Sequence, residues 1–78
     1  MSKQQLDQLL LTLDDLRLSD PPAALQVAEQ IYALAAQVEN WAAASKSQYE
    51  ISFAYTRMGR FPEAVLPART ALTIAQSQ

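Results

Sequence analysis

The chain has no cysteine and no histidine among its 78 residues. Without cysteine there is neither a disulfide framework nor a thiolate zinc site. Without histidine the commonest general base and the commonest metal ligand are both missing. A single glycine, Gly59, leaves no glycine-rich phosphate loop. No apolar run approaches the roughly 20 residues that a helix needs to cross a bilayer. The N-terminus, Met1-Ser2-Lys3-Gln4-Gln5, lacks the apolar stretch of a signal peptide. The residues hold no evident nucleophile–base pair. Asp14-Asp15 is the one adjacent acidic pair, and neighbours on a helix diverge by about 100°, so a solvated face explains it better than a metal site. The expectation is a cytoplasmic chain that is not an enzyme, with no metal, no cofactor and no membrane contact.

Positive charge is also scarce. Six Lys and Arg stand against eight Asp and Glu, a net charge of −2, which argues against nucleic acid as a partner. The charge is uneven along the chain. Residues 1–40 carry Asp7, Asp14, Asp15, Asp20, Glu29 and Glu39 against Lys3 and Arg17, a balance of −4. Residues 41–78 carry Lys46, Arg57, Arg60 and Arg69 against Glu50 and Glu63, a balance of +2. Ordinary solvated faces account for this. The sharper alternative is a C-terminal half that prefers an acidic surface, such as the N-terminal half of a second copy.

What the chain does have is apolar residues, 50% of the total, many of them alanine, the best helix former and small enough to let helices pack closely. The length is that of one small domain, 1–78, and a domain of this size buries only about 60% of its unfolded surface. Four helical segments follow from the spacing. In 2–18, Leu6, Leu9, Leu10, Leu13 and Leu16 recur at i, i+3, i+4 and i+7, with Leu11 and Leu18 on a second stripe. Asp20-Pro21-Pro22 then ends one helix and starts the next, aspartate as N-cap and proline in the first turn. In 22–38 the face is Ala24, Val27, Ala28, Ile31, Leu34, Ala35 and Val38. Asn40 can end that helix or cap the third. In 41–58 the face is Ala44, Ser47, Gln48, Ile51, Ala54, Tyr55 and Met58, with Tyr49 and Phe53 on another side. Gly59 is placed to stop the helix at C′. In 62–76 the face is Ala64, Ala68, Ala71 and Ala75, flanked by Val65, Leu72 and Ile74. Pro67 lies past the first turn, where proline removes a backbone bond and tends to kink the helix. No segment alternates as a strand would. The expected fold is all-α, four helices in antiparallel helix-turn-helix pairs.

The stretch Tyr49-Glu50-Ile51-Ser52-Phe53-Ala54-Tyr55-Thr56-Arg57-Met58-Gly59-Arg60-Phe61-Pro62-Glu63-Ala64-Val65 resembles a tetratricopeptide repeat. Ile51-Ser52 stands where the family has Leu-Gly, Ala54-Tyr55 where it has Ala-Tyr, and Gly59 at its turn glycine. Phe61 stands at its aromatic, Glu63-Ala64 at its Glu-Ala, and Ala71-Leu72 at the later Ala-Leu. The resemblance implies that Ser52 and Ala64 let the two helices of a hairpin approach, and that Tyr55 and Phe61 fill the space between them. Pro22-Ala23-Ala24 matches Pro62-Glu63-Ala64 at an offset of 40 residues, longer than the usual period of about 34 and similar to the extended repeats of kinesin light chain and bacterial regulatory proteins. Those often read Ala-x-x-x-Gly-Asp after the second helix. Here Ala35 is followed by Glu39-Asn40, without the glycine. The likeness covers residues 20–76 well and 2–19 poorly, so the first helix is a degenerate repeat or a cap.

Such repeats bind a peptide or a partner helix in a groove lined by the first helix of each pair. Carried onto this chain, the lining is Lys46, Tyr49, Phe53 and Arg57, with Glu50 and Thr56 beside them. Tyr49 and Phe53 either pack on the first pair or form an aromatic shelf for a partner's apolar side chain. They stand where a carboxylate clamp of the chaperone-binding kind wants polar groups, which argues against that mode. Trp41 either seals the join between repeats or anchors an interface. Repeat arrays want about three repeats and a polar capping helix. The sequence offers two repeats and no such cap, so Val65, Leu66 and Leu72 are expected to be partly exposed and to mediate self-association. The function expected is a regulatory protein-interaction module that homodimerises through its C-terminal repeat, the N-terminal module of a longer signalling protein. The alternative is a free-standing small helical chaperone or adaptor that binds a partner peptide or helix.

Overall fold

A computed structural model describes residues 2–77. Met1 and Gln78, the outer limits of the expected domain, lie outside the described residues. Among those described there are four helices and no strand: α1 (Ser2–Leu16), α2 (Pro21–Gln37), α3 (Trp41–Arg57) and α4 (Phe61–Ser77). Among the described residues no helix is long and apolar enough to cross a membrane. The limits differ from those expected by one residue, except that α1 stops at Leu16 and not Leu18. Arg17, Leu18 and Ser19 form a turn. The second stripe expected on α1 therefore finds no neighbour: Leu11 and Leu18 are both exposed.

Each boundary has a local cause. Asp20 caps α2 by accepting a hydrogen bond from the Ala23 backbone N–H at 3.2 Å, with Pro21 in the first turn. Asn40 caps α3 by accepting from the Ala43 N–H at 3.1 Å. At the end of α3, Gly59 has φ 75°, its N–H donates to the Thr56 carbonyl, and the Arg60 N–H reaches back to that of Tyr55 at 2.8 Å. This is a Schellman closure. The end of α2 repeats it with a different residue. Glu39 has φ 57°, its N–H donates to the Ala36 carbonyl, and the Asn40 N–H donates to that of Ala35 at 2.8 Å. Glu39 thus does the work of the glycine missing from the sequence pattern, and holds a left-handed conformation that costs an L-residue about 1–2 kcal/mol. Glu39→Gly should relieve most of this, less the extra freedom glycine gives the unfolded chain. The expected gain is about 0.5–1 kcal/mol, a rise in Tm of a few degrees by calorimetry. An unchanged or lower Tm would contradict the reading.

The helices pack in chain order, α1 on α2, α2 on α3 and α3 on α4, and no other helix pair approaches closely by backbone. The result is a slab, 34 × 27 × 13 Å between Cα atoms. The core is built from small residues: Ala24, Ala28 and Ala35 of α2 and Ala43 and Ala44 of α3, with Leu6, Leu13, Ile31 and Ile51 between them. Two serines bolt α3 to α4. The Ser52 hydroxyl donates to the Ala64 carbonyl and the Ser45 hydroxyl to that of Ala71, each at 2.8 Å. Ser52 and Ala64 do meet, as their small size implied. Phe61 does not fill the space between the helices. It is 62% exposed, because the first residue of α4 points along the outer flank of that helix, and only Tyr55 lies half-buried. Trp41 is half-buried and packs against the core at the α2–α3 join. α4 runs unbroken through Pro67.

Candidate functional site

Two faces carry the expected interaction residues. The first is formed by α3 and the end of α1. Lys46, Tyr49, Phe53 and Arg57 recur at helical spacing and do share one side of α3. Between them lies Glu50, which falls on the same stripe as the buried Ser47, Ile51 and Ala54 and is itself only 3% exposed. Its carboxylate is held by Arg17 from the turn after α1. Nε donates to Oε1 at 2.9 Å and a second guanidinium nitrogen to Oε2 at 3.1 Å, a bidentate geometry that suits guanidinium and carboxylate alike. Lys46 stands 3.7 Å from the other side of the same carboxylate. The hydrogen bonds that Arg17 donates to Glu50 raise the pKa of Arg17 above its ordinary value, against a smaller effect of desolvation. Arg17 is therefore a cation throughout the range in which proteins are studied.

Phe53 is half-buried in this face, with the Arg17 guanidinium 4.6 Å and that of Arg57 6.0 Å from its ring centre. Arg57 also donates to the Leu18 carbonyl at 2.7 Å. Phe53 is thus a half-buried plate flanked by two cations. Tyr49, 55% exposed, and Lys46 remain open. The sequence placed Lys46, Tyr49, Phe53 and Arg57 on one face but missed Arg17, which organises it. The signal available was Glu50 itself, an acid on an apolar stripe, which a fold tolerates only with a cationic partner.

The second face is α4. Val65, Leu66 and Leu72 are all exposed, Leu66 the most at 70%, but they do not form one patch. At 3.6 residues per turn, Val65 and Leu72 align with Phe61, Ala68 and Ala75, all exposed. Leu66 lies on the opposite flank. There, with Pro62, Glu63 and Pro67, it borders a groove of about 560 Å³ between α2 and α4 that is also lined by Tyr32, Ile51 and Tyr55. The apolar stripe 61, 65, 68, 72, 75 thus lies on the flank of α4 away from that groove, with Ala75 at its end bordering a second concavity lined by Val38, Asn40, Trp41, Ala42 and Ser45. The stripe's counterparts 40 residues earlier are Pro21, Leu25, Ala28, Tyr32 and Ala35, every one buried or half-buried, because α2 has a helix on either side.

No group of acidic residues that could hold a metal ion occurs among the described residues, and Asp14 and Asp15 are both exposed at the end of α1. Fold and faces together define an all-helical stack of antiparallel pairs that leaves one apolar helix flank uncovered. No family model matches the chain, and no curated protein or solved structure matches it.

Proposed function

We propose that the chain is a protein-interaction module of the tetratricopeptide kind, cytoplasmic and regulatory, that homodimerises through α4. The observation that carries this reading is the stripe Phe61, Val65, Ala68, Leu72 and Ala75: the same positions in the preceding unit are buried or half-buried, and here all are exposed. A contiguous apolar flank of this kind is a binding surface more often than an idle one. The 4-3-4-3 spacing is that of a helix–helix seam, which favours another helix as the occupant. The stripe itself carries no charge, so the driving force is apolar burial, worth about 1.5–3 kcal/mol for each large side chain.

A second reading rests on Tyr49 and Lys46. An exposed aromatic beside a lysine, on a face locked by Arg17 and Glu50, suits a small chaperone or adaptor that binds a partner peptide or helix with an acidic and an apolar group.

Sedimentation velocity across a concentration series tests the leading reading. The wild-type chain should pass reversibly from monomer to dimer. Val65→Glu combined with Leu72→Glu should weaken the dimer about 100-fold or more, since each substitution removes apolar burial and introduces a charge that the seam cannot pair. Far-UV circular dichroism should be unchanged, because both positions are exposed. A wild-type chain that stays monomeric at millimolar concentration would overturn the proposal.

A further inference from the structure

We infer that the groove between α2 and α4 docks an arginine side chain of an extended partner peptide, laid against Tyr32 and paired with Glu29. Self-association through α4 is not needed for this. The groove borders the flank of α4 opposite the stripe of Phe61 and Val65, so each surface is open whether or not the other is covered.

One wall of the groove already holds a guanidinium. Arg60, in the turn before α4, lays its guanidinium over the Tyr55 ring, 5.0 Å from the ring centre. That is within the roughly 6 Å over which an aromatic face attracts a cation. The Arg60 Nε also donates to Glu63 Oε2 at 2.8 Å. Tyr55 and Glu63 both line the groove, and between them they hold the cation by its face and by its edge. The opposite wall carries the same two groups. Glu29 and Tyr32 line the groove from α2, three residues apart and so neighbours on the helix surface. Here no cation of the chain answers them. Glu29 is exposed, and α2 contains no lysine or arginine. The ion pairs among the described residues join Arg17 and Lys46 to Glu50, and Arg60 to Glu63. The groove lining therefore has two carboxylates and no cationic side chain.

The occupant follows from the chemistry of the walls. A guanidinium is planar, stacks on an aromatic ring and offers a fork of N–H donors to a carboxylate, whereas an ammonium does neither as well. The groove also has an apolar part. Ile51 of α3 is nearly buried at 6% exposure, and Leu66 on the α4 wall is 70% exposed. An aliphatic side chain of the partner covers Leu66 while the arginine meets Glu29. In an extended chain, residues two apart project to the same side, so leucine and arginine alternating with small residues enter the groove together. Its volume of about 560 Å³ lies within the roughly 300–1,000 Å³ usual for ligand sites, room for a few side chains of such a segment.

The probe is the capped pentapeptide acetyl-Leu-Ala-Arg-Ala-Leu-amide, whose side chains read the same in either direction. It is titrated into the nitrogen-15-labelled chain and followed by backbone amide NMR shifts. Saturable shifts should fall on α2 and α4 around Glu29, Tyr32 and Leu66. Citrulline in place of the arginine keeps the shape and drops the charge, and should weaken binding about ten-fold, the scale of one hydrogen bond to a charged group. Glu29→Gln, at an exposed position, should weaken the arginine peptide by a similar factor. It should weaken the citrulline peptide no further, since both changes remove one shared contact. Equal binding of the two peptides, or a Glu29→Gln chain that binds as tightly as the wild type, overturns the proposal. Shifts confined to the surroundings of Tyr49 and Lys46 place the peptide on the other face and also overturn it. Free arginine amide that binds as tightly as the pentapeptide means a site for a small cation and not for a peptide. No saturable shift at millimolar peptide leaves the groove without this occupant. None of these outcomes bears on self-association, which sedimentation of the wild-type chain decides separately.

Discussion

Arg17→Ala should lower the stability of the domain by about 3 kcal/mol, the low end of the range for removing one partner of a buried ion pair. The low end applies because Arg17 is itself 30% exposed and Lys46 stays within 3.7 Å of the carboxylate. The substitution leaves Glu50, almost fully buried, with one distant cation in place of a bidentate guanidinium. It also removes one of the two cations gripping Phe53, and with it the main polar tie between the end of α1 and α3. A loss of about 3 kcal/mol corresponds to a fall in Tm of about 12–24 °C for a domain of this size. Glu50→Gln should cost less, since the amide oxygen still accepts one Arg17 N–H and no charge is stranded. Arg17→Met combined with Glu50→Leu should recover most of the loss, because an apolar pair avoids desolvating two charges. The raised pKa of Arg17 places its contribution below the ordinary guanidinium pKa, and it is lost only above that value. Arg17 therefore adds no pH dependence near neutrality. Calorimetry of the three variants decides the matter. A change of less than about 0.5 kcal/mol for Arg17→Ala, the scale of an ordinary surface substitution, would mean that water or Lys46 already satisfies Glu50.

The sequence made the helices legible and their ties to one another much less so. The apolar spacing in each segment, with Asp20, Asn40 and Gly59 at the joins, located four helices to within two residues, because capping and periodicity are local and leave their mark within a turn or two. Arg17 and Glu50 are 33 residues apart. The sequence put Glu50 beside the groove lining; its place on the stripe of Ser47, Ile51 and Ala54 turns it inward, and nothing local names the cation that meets it. The same limit explains Phe61. A repeat pattern that puts an aromatic at the start of the second helix says how large the residue is, and not which flank of α4 it lies on. Leu66 was grouped with Val65 and Leu72 by exposure alone, whereas 100° per residue separates them around the helix. Glu39 was legible as a missing glycine and not as the residue that takes its place, since a left-handed glutamate shows no sequence signature.

Ile31→Ala should cost about 3 kcal/mol, within the 2–5 kcal/mol typical of such truncations in a core. The reason lies in the composition of the core. Among the described residues Ile31 and Leu13 are the two large apolar side chains that are fully buried, and five of the nine members of the buried core are alanines. Alanines let α2 and α3 approach but contribute little apolar area each, so the few large side chains carry a disproportionate share of the burial. Ile31 lies in mid-helix on α2, the helix that packs on both α1 and α3, and the alanines of the core have no side-chain length with which to fill a void. Ile31→Val, which removes one methylene, should cost about 0.5–1.5 kcal/mol at the same site, so the pair of variants separates lost volume from disrupted geometry. At roughly 0.05–0.15 kcal/mol per residue, a domain of this length has about 4–12 kcal/mol in total. Ile31→Ala alone should leave it folded at 25 °C with a much lower denaturation midpoint in urea. Ile31→Ala with Arg17→Ala, at sites tied through different helices and so close to additive, should remove about 6 kcal/mol and leave little or no cooperative transition. A double variant that still unfolds cooperatively with a midpoint near that of either single one would show that the two sites act on a shared element, and that α1 is already detached once Arg17 is gone.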